Sequence, residues 1–224
     1  MKIVSPCLTA MVVVVLVGGP NALGQEQTPA PAAALERLKE GNSRFVDGKS
    51  VAKKIDANRR KELAEGQHPF AVILTCADSR VAPELVFDQG LGDVFVLRVA
   101  GNIADRTEIA SIEYAVGQLH VPLVVVIGHE KCGAVAAALD GKPLPGDLGW
   151  LIKQIHVGDQ LPENKADRLN AGIKANALHA ADELKQKSSV IKELAATKRI
   201  QIVTGIYSLT SGKVEWLEAK AGEK

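Results

Sequence analysis

Three apolar runs, Phe70 to Thr75, Val94 to Val99 with the single charge of Arg98, and Leu123 to Ile127, constrain this chain more than any other feature in it. None alternates polar with apolar residues, so each predicts a strand buried on both faces. Between the second and third runs, Thr107 to Leu119 carries Ile109, Ile112, Tyr114, Ala115, Val116 and Leu119 as a helical stripe. After the third, Gly133 to Leu139 is a helix of small residues able to pack closely on a sheet. Strand and helix in alternation predict an α/β fold, a central mostly parallel sheet flanked by helices. From about Leu148 to Ala196 the pattern is mostly helical, broken near Gly158, Asp159 and Pro162. Two more strands, Ile200 to Tyr207 and Val214 to Leu217, flank the turn signal Thr210-Ser211-Gly212-Lys213, and the last is expected to add at a sheet edge.

Ahead of the first strand the chain changes character. Lys2, an apolar run from Leu8 to Val17 and the small residues Ala22 and Gly24 predict a secretory signal peptide over residues 1–24. A membrane span needs roughly 20 apolar residues, and Pro20 with Asn21 interrupts this run. Cys7 precedes the apolar core, which argues against a lipid anchor. Residues 25–33, with two prolines and no apolar period, read as a linker. An N-terminal helical arm follows, Ala34 to Val46 with Leu35, Leu38 and Phe45 at helical spacing, then a charged helix over Asp56 to Glu65. No linker divides residues 34–224, which are expected to form one domain. The mature protein is expected to be exported, to the periplasm or the medium, with no membrane attachment.

Charge excludes one large class of partner. With 27 Lys plus Arg against 26 Asp plus Glu and 4% aromatic residues, the chain has neither the basic footprint nor the stacking platforms of a nucleic-acid binder. Cysteine count is more informative. Of the three cysteines, Cys7 leaves with the signal peptide, so Cys76 and Cys132 remain. In an oxidising compartment the plain reading of such a pair is one disulfide.

Their settings favour a different reading. Cys76 opens Cys-Ala-Asp-Ser-Arg directly after the first strand, and Ile127-Gly128-His129-Glu130-Lys131-Cys132-Gly133 directly follows the third. In a parallel sheet both segments emerge at the carboxyl edge, where open α/β folds place their ligand crevice. Two thiolates and an imidazole suit zinc, and three protein ligands leave a fourth position for water, as in catalytic sites. Asp78 and Arg80 flank Ser79 beside Cys76; the carboxylate is placed to accept from a metal-bound water, with the guanidinium holding it ionised and oriented. Asp78 could instead close the site as a fourth ligand. An ordinary loop ion pair is the plainer alternative.

Cys-x-Asp-x-Arg after a strand, followed by His129-x-x-Cys132-Gly133, resembles the β-class carbonic anhydrases, with similar flanks in Asp93 to Arg98 and Ser111-Ile-Glu-Tyr114. The resemblance runs from about Gln67 through the C-terminal hairpin. It implies reversible hydration of carbon dioxide to bicarbonate by a zinc-bound hydroxide, with Cys76, His129 and Cys132 as metal ligands and Asp78 with Arg80 as the catalytic dyad. Gln67, Phe95 and Tyr114 match the plant-like substrate pocket, in which the glutamine comes from one subunit and the two aromatics from its dimer mate. Gly133 matches a backbone N–H used for the substrate. A homodimer, or a higher oligomer built from dimers, follows as the smallest competent unit, with the helices before Phe70 wrapping the partner. Without the resemblance, Phe95 and Tyr114 read as core residues. His120 and His156 are proton-shuttle candidates. Two alternatives stay open at this level: a carbonyl sulfide or carbon disulfide hydrolase using the same zinc, and an exported zinc or disulfide module with no turnover.

Overall fold

The structure, a computed structural model, describes residues 29–51 and 55–217. In chain order these form α1 (Pro31–Val46), α2 (Ala57–Glu65), β1 (Ala71–Thr75), α3 (Pro83–Val86), β2 (Val94–Arg98) and a 3-10 turn (Ala100–Asn102). There follow α4 (Arg106–Gly117), β3 (Leu123–His129), α5 (Gly133–Asp140), α6 (Gly146–Lys153), α7 (Lys165–Lys187), α8 (Ser189–Ala196), β4 (Gln201–Tyr207) and β5 (Val214–Leu217). The five strands make one sheet in the order β2-β1-β3-β4-β5. All pairings are parallel except β4 with β5, which is the antiparallel edge strand expected from the hairpin signal.

Period-two alternation along the central strands divides the core. Val72 and Leu74 of β1 join Val124 and Val126 of β3 under α4, α7 and α8. Ala71 and Ile73 join Leu123, Val125 and Ile127 on the opposite face, under α1 and α3. Every residue of β1 and β3 is buried, which is why those runs contain no polar alternation. β2 lies at the edge and is only half-buried. A third cluster, Ile103, Val135, Ile152, Ile155 and Ile173 around the two cysteines, closes the sheet's carboxyl end. No helix of the described residues is long and apolar enough to cross a membrane.

One expectation about the N-terminal region changes. The signal peptide and residues 25–28 of the linker fall outside the described residues, but the helix already begins at Pro31, inside the segment read as linker. Proline is suited to the first helical turn, where its missing N–H has no partner to lose. The first helix of the arm also packs on this chain's own sheet, where Ala34 and Leu38 are wholly buried. Gly41 makes that approach possible: a Cβ there would lie 1.8 Å from the Phe87 carbonyl oxygen. Among the helices of the described residues, only α2, capped by the Asp56 side chain, buries no residue.

Asn42, next to Gly41, ties three distant segments together. Its Nδ2 donates to the carbonyls of Val86 (3.1 Å) and Gly212 (2.8 Å), and its Oδ1 accepts from the Val214 N–H (2.9 Å). Asn42→Ala would strand these buried backbone groups, so a loss of about 2–4 kcal/mol is expected. The measurement is a lowered urea midpoint at unchanged m-value; an unchanged midpoint would show that the arm is not fastened through this residue.

Candidate metal centre

β1 and β3 are hydrogen-bonded neighbours, with Thr75 opposite Ile127 in the register. The Thr75 hydroxyl donates to the Ile127 carbonyl at 3.0 Å, locking the two strand ends together one residue before Cys76 and two before His129. The chain then turns through Lys131, in a left-handed conformation at φ 55°, and reaches Cys132 at the start of α5. Cys76 Sγ, a ring nitrogen of His129 and Cys132 Sγ consequently lie within 4.8 Å of one another, all buried. Both thiols are free, so these cysteines form no disulfide.

The imidazole is prepared for one task. Its Nδ1 lies 2.9 Å from the Glu130 carbonyl, which can only accept, so Nδ1 carries the proton and Nε2 presents a lone pair. That Nε2 is buried without a hydrogen-bond partner, although leaving such a nitrogen unpaired is costly. A metal ion between the sulfurs and this nitrogen would satisfy it. The donor set, two thiolates and an imidazole, suits a borderline-soft divalent ion.

Electrostatics agree with that fit. The neighbouring Cys132 thiol, against the opposing effect of burial, lowers the pKa of Cys76. The same interaction, together with burial, pushes Cys132 upward. A bound metal would hold both sulfurs as thiolates. The backbone N–H groups of Ala134 and Val135, at the start of α5, favour charge on Cys132, and the Gly101 N–H donates to Cys76 Sγ at 3.3 Å.

Asp78 and Arg80 stand beside this cluster as a closed unit. Arg80 Nε and Nη2 donate to Asp78 Oδ1 and Oδ2 at 2.9 and 2.7 Å, and the Arg80 backbone N–H also reaches Oδ1 at 3.0 Å. This guanidinium holds the Asp78 carboxyl well below the usual carboxylate range. Asp78 Oδ2 lies 3.9 Å from His129 Nε2, facing the donors. Gly133 occupies the first turn of α5 directly after Cys132, and a Cβ there would meet open space.

The remaining sequence candidates lie elsewhere. Gln67 is exposed ahead of β1, close to Leu91 and Gly92, at the amino edge of the sheet. Five residues of strand, about 17 Å, separate that edge from Cys76. Phe95 and Tyr114 do meet each other, ring centroids 6.3 Å apart, and Tyr114 is 49% exposed rather than core. His120 sits just before β3, again at the amino edge, while the His156 ring stacks on His179 at 4.5 Å.

Residues that motif reading passed over shape the centre from outside. Arg98, at the end of β2, donates to the carbonyls of Asp78 (2.6 Å) and Cys76 (3.3 Å) and so fixes the loop between them. Glu130 accepts from the Ser208 hydroxyl and the Leu209 N–H, each at 3.0 Å, tying the His129 turn to the end of β4. Arg98 stood in a flank already singled out; nothing in the local sequence distinguishes Glu130.

Comparison with known proteins agrees with this geometry. Residues 71–214 match the carbonic anhydrase family. Carbonic anhydrase 2 of Mycobacterium tuberculosis is 44% identical over 191 residues, which cover 82% of this chain and 91% of that protein. The carbonic anhydrase of Mycolicibacterium smegmatis is 38% identical over 193 residues, 83% and 92% of the two chains. Among solved structures, a β-carbonic anhydrase of Aspergillus fumigatus superposes with a TM-score of 0.66 at 31% identity, covering 86% of this chain and 92% of that one. With a family match spanning its whole sheet from β1 to the start of β5, and relatives aligned over most of their own length, the chain belongs to the β-class carbonic anhydrases.

Proposed function

We propose that this chain interconverts carbon dioxide and bicarbonate at a zinc ion held by Cys76, His129 and Cys132. The observation that carries this reading is the buried, unpartnered His129 Nε2, grouped with two free thiols at the carboxyl edge of the sheet. Zinc held there supplies Lewis acidity that makes water nucleophilic, tempered by two thiolates that offset its charge.

The protein's own groups do the rest. Asp78, ionised because Arg80 engages both of its oxygens, cannot retain a proton near neutral pH, so it orients rather than deprotonates. Its Oδ2 faces the donor cluster, where it accepts a hydrogen bond from water and directs an oxygen lone pair at the substrate carbon. The open space over Gly133 admits a small molecule to the first turn of α5, where a backbone N–H has no helical partner and donates to a substrate oxygen. The proton released on hydration leaves to buffer.

Cys76→Ser is expected to lose metal and activity together, whereas Asp78→Asn keeps the metal and loses about 100-fold or more in kcat. Metal analysis beside stopped-flow hydration separates the two, and full activity in either variant would refute the assignment. In the parent enzyme kcat/KM should climb between pH 6.5 and 9 because thiolate ligation weakens the acidity lent to water. Asp78, depressed below that window, adds no second limb. A flat profile would contradict this.

The same reading includes a dimer. Gln67 lies at the opposite sheet edge from Cys76 in its own chain, so a pocket using both needs Gln67 of the partner subunit. The half-buried edge strand β2, with exposed Leu91 and Tyr114 nearby, supports contact on that side. Gln67→Leu and Cys76→Ser, each impaired alone, are then expected to restore part of the activity when their subunits are mixed and exchanged. Exchange without recovery would place the glutamine outside the pocket. Export rests on the signal-like residues 1–24, and the intact mass of protein recovered outside the cytoplasm should correspond to a chain beginning at Gln25.

A further inference from the structure

Asn176 is a buried amide on a helix face that otherwise has little use for one. It is 1% exposed, and its neighbours along the buried stripe of α7 are Gly172, Ile173, Ala177, Ala180, Ala181 and Leu184. A polar group in such a place is retained at a cost unless hydrogen bonds offset its desolvation. Asn176 makes two. Its Nδ2 donates to the Gly101 carbonyl at 2.6 Å, and its Oδ1 accepts from the His156 N–H at 3.1 Å.

Gly101 is the residue whose N–H donates to Cys76 Sγ at 3.3 Å. It sits in the 3-10 turn at φ 73°, where a Cβ would lie 2.6 Å from Ile155 Cδ1. The turn therefore holds an unusual backbone conformation against a crowded wall, and Asn176 fastens its carbonyl side while the amide side meets the sulfur. An N–H that donates to a ligating thiolate draws electron density from it, so the sulfur gives less charge to the metal.

We infer that Asn176 is a positioning residue for the metal centre: by clamping the Gly101 carbonyl it keeps the Gly101 N–H on Cys76 Sγ, and so sets both the retention of the ion and the charge Cys76 donates to it. The inference rests on the reading of Cys76, His129 and Cys132 as metal ligands. A purely architectural amide, joining the α6–α7 connection to the turn, would contribute stability and leave the metal's electronic state alone.

Cobalt-substituted protein distinguishes these roles, since the thiolate-to-cobalt charge-transfer band reports on the sulfur directly. In Asn176→Ala the band is expected to move to longer wavelength, and a chelator should extract the metal about 10- to 100-fold faster. Asn176→Leu keeps most of the volume but loses the donor to Gly101, so it should behave as the alanine variant does. An unchanged band and extraction rate with only a lowered Tm would overturn the inference. Absence of any thiolate-to-cobalt band in the parent protein would instead defeat the metal-centre reading itself. Should neither variant fold, cadmium-113-loaded parent protein decides: scalar coupling from the metal across Cys76 Sγ to the Gly101 amide proton is expected, and its absence overturns the clamp.

Discussion

The pairing of β1 with β3 is the constraint on which the site depends. Because the strands are parallel and adjacent, their carboxyl ends deliver Cys76 and His129 to one place, and the Thr75 hydroxyl bonded to the Ile127 carbonyl removes the slack between them. A slip of one residue would turn His129 to the other face of the sheet. Register here is held by complete burial of both strands, with one set of side chains under α4, α7 and α8 and the other under α1 and α3. The hydrophobic core and the donor geometry are therefore one construction, and a loss of packing far from the cysteines reaches the metal site through strand register.

Charge is arranged in two shells with opposite needs. The inner group is buried: two thiols and an imidazole whose Nε2 has no hydrogen-bond partner, a donor set suited to a cation. The outer pair, Asp78 with Arg80, is partly solvated, and its ionisation is fixed by bidentate contact rather than by the metal. Separating the two lets the carboxylate stay charged and oriented beside the cluster without neutralising it. Around both, backbone groups of the 3-10 turn and of α5 supply hydrogen bonds to the sulfurs, and Arg98 holds the connecting loop. Much of what shapes the centre thus consists of peptide groups held in position by residues distant in sequence.

The sheet also separates what it assembles. Donors and the Asp78–Arg80 pair occupy the carboxyl edge, while Gln67 and His120 occupy the amino edge, with buried strand between them. Within one chain that distance cannot be bridged, whatever the side-chain conformation. Phe95 and Tyr114 are packed on each other at the rim of β2 and α4; Phe95 lies partly buried against the core as apolar periodicity suggests, whereas Tyr114 is half-exposed.

Local sequence by itself determined the strands, the antiparallel hairpin and the members of the Cys-His-Cys cluster. Buried parallel strands need uninterrupted apolar runs, and zinc-type donors need Cys and His side chains at strand ends, so both requirements are written in consecutive residues. It also placed Asp78 and Arg80 together, because the two are only one residue apart. Tertiary structure alone decided that α1 starts at Pro31 and packs on its own sheet, because Gly41 admits the Phe87 carbonyl and Asn42 reaches Gly212 and Val214. It alone decided that Asn176 meets Gly101. These are contacts between segments dozens of residues apart, and no spacing along the chain encodes them; they exist only once β1, β3 and α7 have packed and the backbone groups between them must find partners.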